Sequence, residues 1–272
     1  MVLADILRSK SGKSGWVAVM WAYALLFFSF LYLPLLILVI FSFNDSSIVA
    51  LPLKGFTFKW YEIVLNTPQL SLALLNSLIL GIVVASIGTT LALTLCLGFR
   101  REFRFKPILL QIILIPIIIP GIIGGVMLLI SFGYFEIDFS LASTVLVAHV
   151  NWVLPFAFLT LYPRTHRFDK SIEEAAMDLG ARPFIVFRRI IFPLIKPGII
   201  ATFLFSFTLS FDEFIRTIFV IGTDRTIPVH LWSIIMESVA PYLPAVGVII
   251  MLISSLASLL GFVISARYEK KF

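Results

Sequence analysis

Apolar residues run almost unbroken through six stretches of this chain, near residues 16–41, 70–98, 107–132, 141–162, 197–221 and 242–266. About 20 such residues in a helix cross a hydrocarbon layer about 30 Å thick. The runs are continuous and do not alternate at every second position, which predicts helices and argues against a barrel. The expected fold class is an all-α membrane protein with six transmembrane helices, the whole of 1–272 forming one transmembrane domain. Arg8, Lys10 and Lys13 precede the first run, as in a secretory signal. Its apolar core exceeds the usual 7–15 residues, however, and no small-x-small cleavage site follows, so it reads as a retained first helix.

Two connections are long. The one over 42–69 carries Pro52, Gly55, Phe56, Phe58, Trp60, Tyr61 and Pro68; its aromatic rings suit a membrane interface. The one over 163–196 is far more polar. Ser171 and Glu174 have capping-box spacing. Ile172, Ala175, Ala176 and Leu179 follow at i, i+3, i+4 and i+7, one helical face. Gly180 falls where a left-handed C′ residue belongs, and Pro183 suits the first turn of a second helix ending near Ile191, before Pro193. Two short helices joined by a tight turn are therefore expected. The small face and the acidic residues near the N-terminus suit a groove on another protein, and equally a helix resting on the membrane surface.

Composition agrees with lipid as the solvent, since 60% of the 272 residues are hydrophobic and 13% are charged. The formal charge of +6 is dealt out by topology. With the N-terminus in the cytoplasm, 17 of the 21 Lys and Arg fall in inside segments; only Lys54, Lys59 and Arg225 fall outside, and Arg216 lies within a span. The positive-inside rule then places both termini in the cytoplasm. A nucleic-acid partner is not expected, because these charges do not share one face. Cys96 is the only cysteine; it forms no intrachain disulfide and reads as packing. Ser11-Gly12-Lys13-Ser14 looks like the end of a phosphate-binding loop, but Leu7 stands where the motif needs its first glycine, and no strand precedes it.

The inner connection resembles a known family. Glu174-Ala175-Ala176, three residues, Gly180, nine residues, then Ile190-Ile191-Phe192-Pro193 is similar to the EAA loop of ABC-importer permeases, with Phe192 in place of the usual Leu. Ser42-Phe43-Asn44, Gly55-Phe56-Thr57-Phe58-Lys59-Trp60-Tyr61 and Ser206-Phe207-Thr208-Leu209-Ser210-Phe211-Asp212-Glu213 resemble the spermidine/putrescine-type subgroup, its second permease subunit above all. The resemblance implies the type I ABC importer permease fold, with 163–196 as a cytoplasmic two-helix coupling loop. It implies an ATPase-coupling set of Glu173, Glu174, Ala175, Ala176, Asp178, Gly180, Ile190 and Pro193. It implies transport without an ATPase in this chain, ATP and Mg being held by a separate subunit. The implied partners are two ATPase subunits, a second homologous permease, an extracytoplasmic substrate-binding protein and membrane lipid, in a bacterial inner membrane. The implied cargo is a polyamine or related organic cation, with an opine, an amino-acid-like compound or iron as alternatives.

Polar groups at bilayer depth are functional candidates by default. Asp212, Glu213 and Arg216 lie in the fifth run, where either carboxylate could meet the guanidinium on one helical face. They form an internal ion pair or line a translocation path, with a net charge of about −1 that suits a cation. Arg216 also admits a carboxylate-bearing substrate. His149, Asn151 and Trp152 either hydrogen-bond between helices or line the path, Trp152 offering a cation–π face. Pro116, Pro120 and Gly121, with Gly124 and Gly125, predict a kink in the third run, at a gate or at a close packing point. A secondary transporter would call for paired broken helices; only the third run is Gly/Pro-interrupted. An embedded enzyme would need a nucleophile with its base, or a metal cluster, and the three histidines at 149, 166 and 230 are scattered.

Overall fold

The computed structural model describes residues 2–166, 170–237 and 240–269, and divides into two compact units. The first comprises Met1–Val64 with Val239–Val248. In it, helix α1 (Val2–Ser42) leads into the loop over 43–58 and the short helix α2 (Lys59–Asn66). The loop is held by its own polar atoms. Asn44 pairs with Phe56 across an isolated antiparallel bridge. The Trp60 indole donates to the Asn44 carbonyl at 2.8 Å, and Asn44 Oδ1 accepts the Lys54 N–H at 2.8 Å. Phe43, Phe56, Phe58 and Tyr61 stack on one another, with centroids 5.0–6.3 Å apart. Aromatic pairing, not only interfacial preference, therefore gathers these residues.

The second unit, Leu65–Ser238 with Ile249–Phe272, carries the rest. Its centre is three mutually packed helices: α3 (Pro68–Gly98), α6 (Leu141–His166) and α8 (Pro183–Phe211). Between tails as apolar as leucine, helices associate by close van der Waals packing, which favours small residues. In α3 the buried residues Ala73, Ser77, Gly81, Ala85 and Thr89 recur every fourth position and form such a groove. A Cβ on Gly81 would stand 3.0 Å from the Phe207 ring of α8, and one on Gly88 would stand 3.1 Å from Val153 of α6. Toward the loop 99–105, Cys96 packs with Ala92, Phe99 and Phe158 and lies 3.8 Å from the Phe158 carbonyl.

Among the described residues, five helices are long and apolar enough to cross a bilayer, and six if one bent pair counts as a single span. That pair is α4 (Lys106–Ile118) and α5 (Gly121–Tyr134), which meet at 105°. The predicted kink in the third run is thus a full break. Pro120 has no N–H to continue the ladder and disfavours helical backbone at Ile119, which is extended (φ −75°, ψ 123°). The fifth run also departs from expectation. Its continuous helix stops at Phe211; a turn follows, then a single helical turn, α9 (Thr217–Val220). Helix α10 (Ile227–Glu237) and the last span α11 (Leu243–Glu269) complete the chain.

Substituting Gly81 by leucine should therefore force α3 away from α8. An overpacking cost of about 1–3 kcal/mol is expected, read as a lower melting temperature of the detergent-solubilised protein, whereas Gly98→Leu, with open space around it, should leave melting unchanged.

Candidate functional site: an interrupted fifth span and a surface loop

Two regions carry the predicted residues. In the connection after α6, helix α7 covers Lys170–Asp178. Ser171 lies inside this helix, so it is not the N-cap that the capping-box spacing suggested; residues 167–169 lie outside the described ones. Gly180 adopts φ +85°. Its N–H donates to the Met177 carbonyl at 2.8 Å, and the Ala181 N–H to the Ala176 carbonyl at 3.0 Å, the paired bonds of a Schellman ending. A new helix begins at Pro183, but it does not stop before Pro193. A π-turn over Phe187–Ile191 carries it on without a stop, so that α8 runs from Pro183 to Phe211. The wider turn relieves the clash between the Pro193 ring and the carbonyl four residues back.

The four residues expected on one apolar face divide. Ala176 packs with Val186, Ile191 and Ile195, allowing α7 to lie close against the start of α8. Ile172, Ala175 and Leu179 remain exposed, Leu179 at 90%, beside Phe184 at 70% across the turn. Glu173 forms an ion pair with Arg100, just past the end of α3. Glu174 and Asp178 are exposed, Ile190 is half-buried and Pro193 is exposed. Arg100, Arg101, Glu173, Glu174 and Met177 border a groove of about 410 Å³.

The second region is built on the interruption after Phe211. Breaking a helix in an apolar surrounding strands backbone groups, and side chains must satisfy them. Glu213 Oε1 accepts the backbone N–H of Arg216 at 2.9 Å, capping the turn that leads into α9. The same carboxylate holds the Arg216 guanidinium, with both oxygens 3.3 Å from Nη1. The guanidinium lies over the Trp152 ring of α6, its Cζ 3.6 Å from the centroid. Arg216 is only 5% exposed. Asp212 does not pair with it as the four-residue spacing allowed. Because the helix ends at Phe211, the Asp212 carboxylate instead accepts the Ser254 hydroxyl of α11 at 2.8–2.9 Å and stays exposed.

His149 is fully buried and spans the same interruption. Its Nδ1 lies 2.8 Å from the Ser210 hydroxyl before the break, and its Nε2 lies 2.7 Å from the Thr217 hydroxyl after it. Thr217 donates its hydrogen to the Glu213 carbonyl at 2.7 Å. It can therefore only accept from the ring, which places the hydrogen on Nε2 and leaves Nδ1 to accept from Ser210. Asn151 is exposed on the same helix. The broken third run closes on this region. A Cβ on Gly121 would stand 3.3 Å from Ile215 and 3.6 Å from the Arg216 guanidinium, and one on Gly125 would collide with the Phe219 ring. Pro116 lies one turn before the break.

Sequence reasoning missed three parts of this arrangement: Ser254 as the partner of Asp212, the hydroxyl bracket of Ser210 and Thr217 around His149, and Asp224. The Asp224 carboxylate accepts the Leu141 N–H at 2.8 Å, capping the first turn of α6. Asp224, Arg225, His230 and Glu237 border a cavity of about 420 Å³ with Asn76. Burial and the Arg225 charge hold the His230 imidazole below its usual range, with Glu237 opposing them. Hydroxyls flanking a charged pair inside an apolar run were the available signal for the bracket. Among the described residues, no cluster of His, Cys, Asp or Glu could hold a metal ion.

The family model for the binding-protein-dependent transport system inner membrane component matches residues 77–272. The chain belongs to this family. It is 34% identical over 229 residues to the spermidine/putrescine transport system permease protein PotC of Escherichia coli K12, covering 84% of this chain and 86% of that protein. It is 32% identical over 255 residues to the putrescine transport system permease protein PotI of the same strain, covering 91% and 90%. The fold matches that in the crystal structure of a bacterial ABC transporter involved in the import of the acidic polysaccharide alginate, with a TM-score of 0.74 at 15% identity, covering 96% of this chain and 98% of that one. The chain is thus a membrane permease component of an ABC-type import system, with a type I importer permease fold and no catalytic role of its own.

Replacing His149 with alanine should destabilise the protein by about 2–4 kcal/mol, through a cavity and a buried Ser210 hydroxyl that loses its acceptor. Thermal unfolding in detergent checks this, and His149→Asn should recover part of the loss.

Proposed function

We propose that this chain forms the membrane-spanning half of an importer for a small organic cation of the polyamine class, driven by a separate ATPase. The observation that carries the cation reading is the different fate of the three charges in the fifth run. Arg216 is buried against Glu213 and Trp152, while Asp212 stays exposed with a hydroxyl as partner. A buried carboxylate–guanidinium pair is close to neutral to its surroundings, so the charge presented is the Asp212 carboxylate. Relatives whose names specify spermidine and putrescine support the same class. A carboxylate-bearing opine or amino-acid-like substrate would call on the Arg216 guanidinium, which faces internal partners here. Trp152 lines the path, His149 braces that wall from inside the bundle and Asn151 is exposed elsewhere on the same helix, with Pro116, Pro120 and Gly121 as the hinge of the gate.

The loop over 163–196 couples this path to ATP hydrolysis. Leu179 and Phe184 project from a turn fixed by Gly180 and suit an apolar cleft, with Glu174 and Asp178 beside them for basic groups on the ATPase. A helix lying on lipid would not need so sharply ended a tip. The working assembly comprises two ATPase subunits that hold ATP and Mg, this chain, a second homologous permease and an extracytoplasmic binding protein. It sits in a bacterial inner membrane with both termini of this chain in the cytoplasm.

Asp212→Asn should lower putrescine uptake by about tenfold or more while the purified complex keeps its ATPase chain; uptake at the wild-type rate would remove the cation reading. Glu174→Ala and Gly180→Pro, the latter unable to adopt φ +85°, should release the ATPase chain or uncouple hydrolysis from uptake. Copurification and ATP turnover per putrescine report both effects. Normal assembly and coupling in both variants would leave 163–196 as a surface helix pair.

A further inference from the structure

The buried ion pair has the composition of a ligand site whose ligand is tethered. Trp152 presents its face, Glu213 presents two oxygens, and between them lies a guanidinium. An aromatic face with a carboxylate is a general solution for binding ammonium and guanidinium groups, and it gains strength when water is excluded. The seat excludes water, since the Arg216 and Glu213 side chains are 6% and 9% exposed.

Four features distinguish this from a pair that only cements helices. The carboxylate–guanidinium contacts, both 3.3 Å, are longer than the about 2.7–2.9 Å of a tight charge-assisted bond. Glu213 has a second task, capping the Arg216 backbone N–H at 2.9 Å, which keeps the carboxylate tied to the backbone of the turn if the guanidinium alone moves. Arg216 itself stands on the interruption between Phe211 and Thr217, where the backbone is free of a continuous ladder. The guanidinium also borders glycines: Cβ atoms on Gly121 and Gly124 would lie 3.6 and 3.8 Å from it, so no side chain there holds it in. The Trp152 ring therefore stands on a continuous helix, the acid is tied to the backbone of the turn, and the guanidinium is the part held only through its own side chain.

We propose that Trp152 and Glu213 form a seat for a substrate ammonium or guanidinium group, filled in this conformation by the chain's own Arg216. Arg216 acts as a resident cation that keeps the seat closed, and cargo takes the seat when the Arg216 side chain swings off the ring. Asp212, exposed one residue before Glu213, is the point from which a cation reaches it. This rests on the reading of the chain as a permease for organic cations, and assigns that cargo a specific contact.

The test uses the complete transporter in lipid nanodiscs without binding protein, with equilibrium binding of radiolabelled putrescine as the readout. Arg216→Ala should bind putrescine about tenfold more tightly than wild type, and adding Glu213→Gln or Trp152→Leu should abolish the gain. Ethylguanidine, a free copy of the lost head group, should compete in Arg216→Ala and not in the wild type. Arg216→Gln serves if the alanine variant does not assemble. Equal binding by Arg216→Ala and wild type, or a gain that survives Glu213→Gln, would overturn the seat. So would failure of both Arg216 variants to assemble, because a cation that cannot be removed is structural. Wild-type putrescine uptake, measured in parallel in the presence of binding protein, separates the outcomes: uptake with no gain in binding sinks only the seat, and no uptake sinks the polyamine reading on which it stands.

Discussion

Lipid offers no hydrogen bonds to a broken helix, and this constraint organises the functional half of the protein. The chain interrupts its third apolar run at Pro120 and its fifth after Phe211, and at the fifth the stranded groups are met from side chains. Glu213 caps the turn at Arg216, Thr217 returns a hydrogen to the Glu213 carbonyl, and His149 bridges Ser210 to Thr217. The same residues that satisfy the break also place a carboxylate, a guanidinium and an indole face together. An uninterrupted helix would have needed none of these polar groups, and would have offered none to a substrate.

The rigid part of the second unit is what makes the break tolerable. Helices α3, α6 and α8 approach closely along small residues, and the Gly81 and Gly88 contacts leave little freedom for rotation. His149 and Trp152 project from α6, so the wall of the site belongs to the tightly packed element. Arg216 and Asp212 belong to the interrupted one. At the other end of α8, the helix continues through a π-turn into the segment beginning at Pro183, and Ala176 packs α7 against it. The Leu179–Phe184 tip is thus joined through continuous helix to α8, whose far end is the break.

Much of this was legible in the sequence. The spans followed from run length, and the turn at Gly180 from its position after Leu179 at the end of an amphipathic face. The importer family followed from the spacing of Glu174, Gly180 and Pro193. What failed did so for physical reasons. Pro193 read as a stop because a standard α-helix cannot accommodate it there, and the π-turn at Phe187–Ile191 is a tertiary accommodation with no local signature. Helical spacing allowed either Asp212 or Glu213 to pair with Arg216; the Asp212 option lost its meaning once the helix ended at Phe211, and Glu213 makes the pair. Ser254 could not have been found from sequence, because its contact with Asp212 joins residues 42 positions apart. The four-residue stripe from Ala73 to Thr89 was readable and was missed, as apolar runs draw attention to length before composition.

The charge pattern also explains why one carboxylate in the fifth run is buried and its neighbour is not. Placing a lone ionised group in an apolar interior costs several kcal/mol, and a buried group persists only when paired and hydrogen-bonded. Glu213 meets both conditions through the guanidinium and the backbone N–H of Arg216. Asp212 has the Ser254 hydroxyl, which a carboxylate with two oxygens and no counter-charge finds insufficient for burial. It must keep access to water or to a mobile cation. Lys196 marks the start of the span on the charged side, and α8 rises about 1.5 Å per residue from there. Asp212 thus lies about 24 Å along the helix from Lys196. The exposed position of Asp212, directly past the end of the helix at Phe211, meets that requirement.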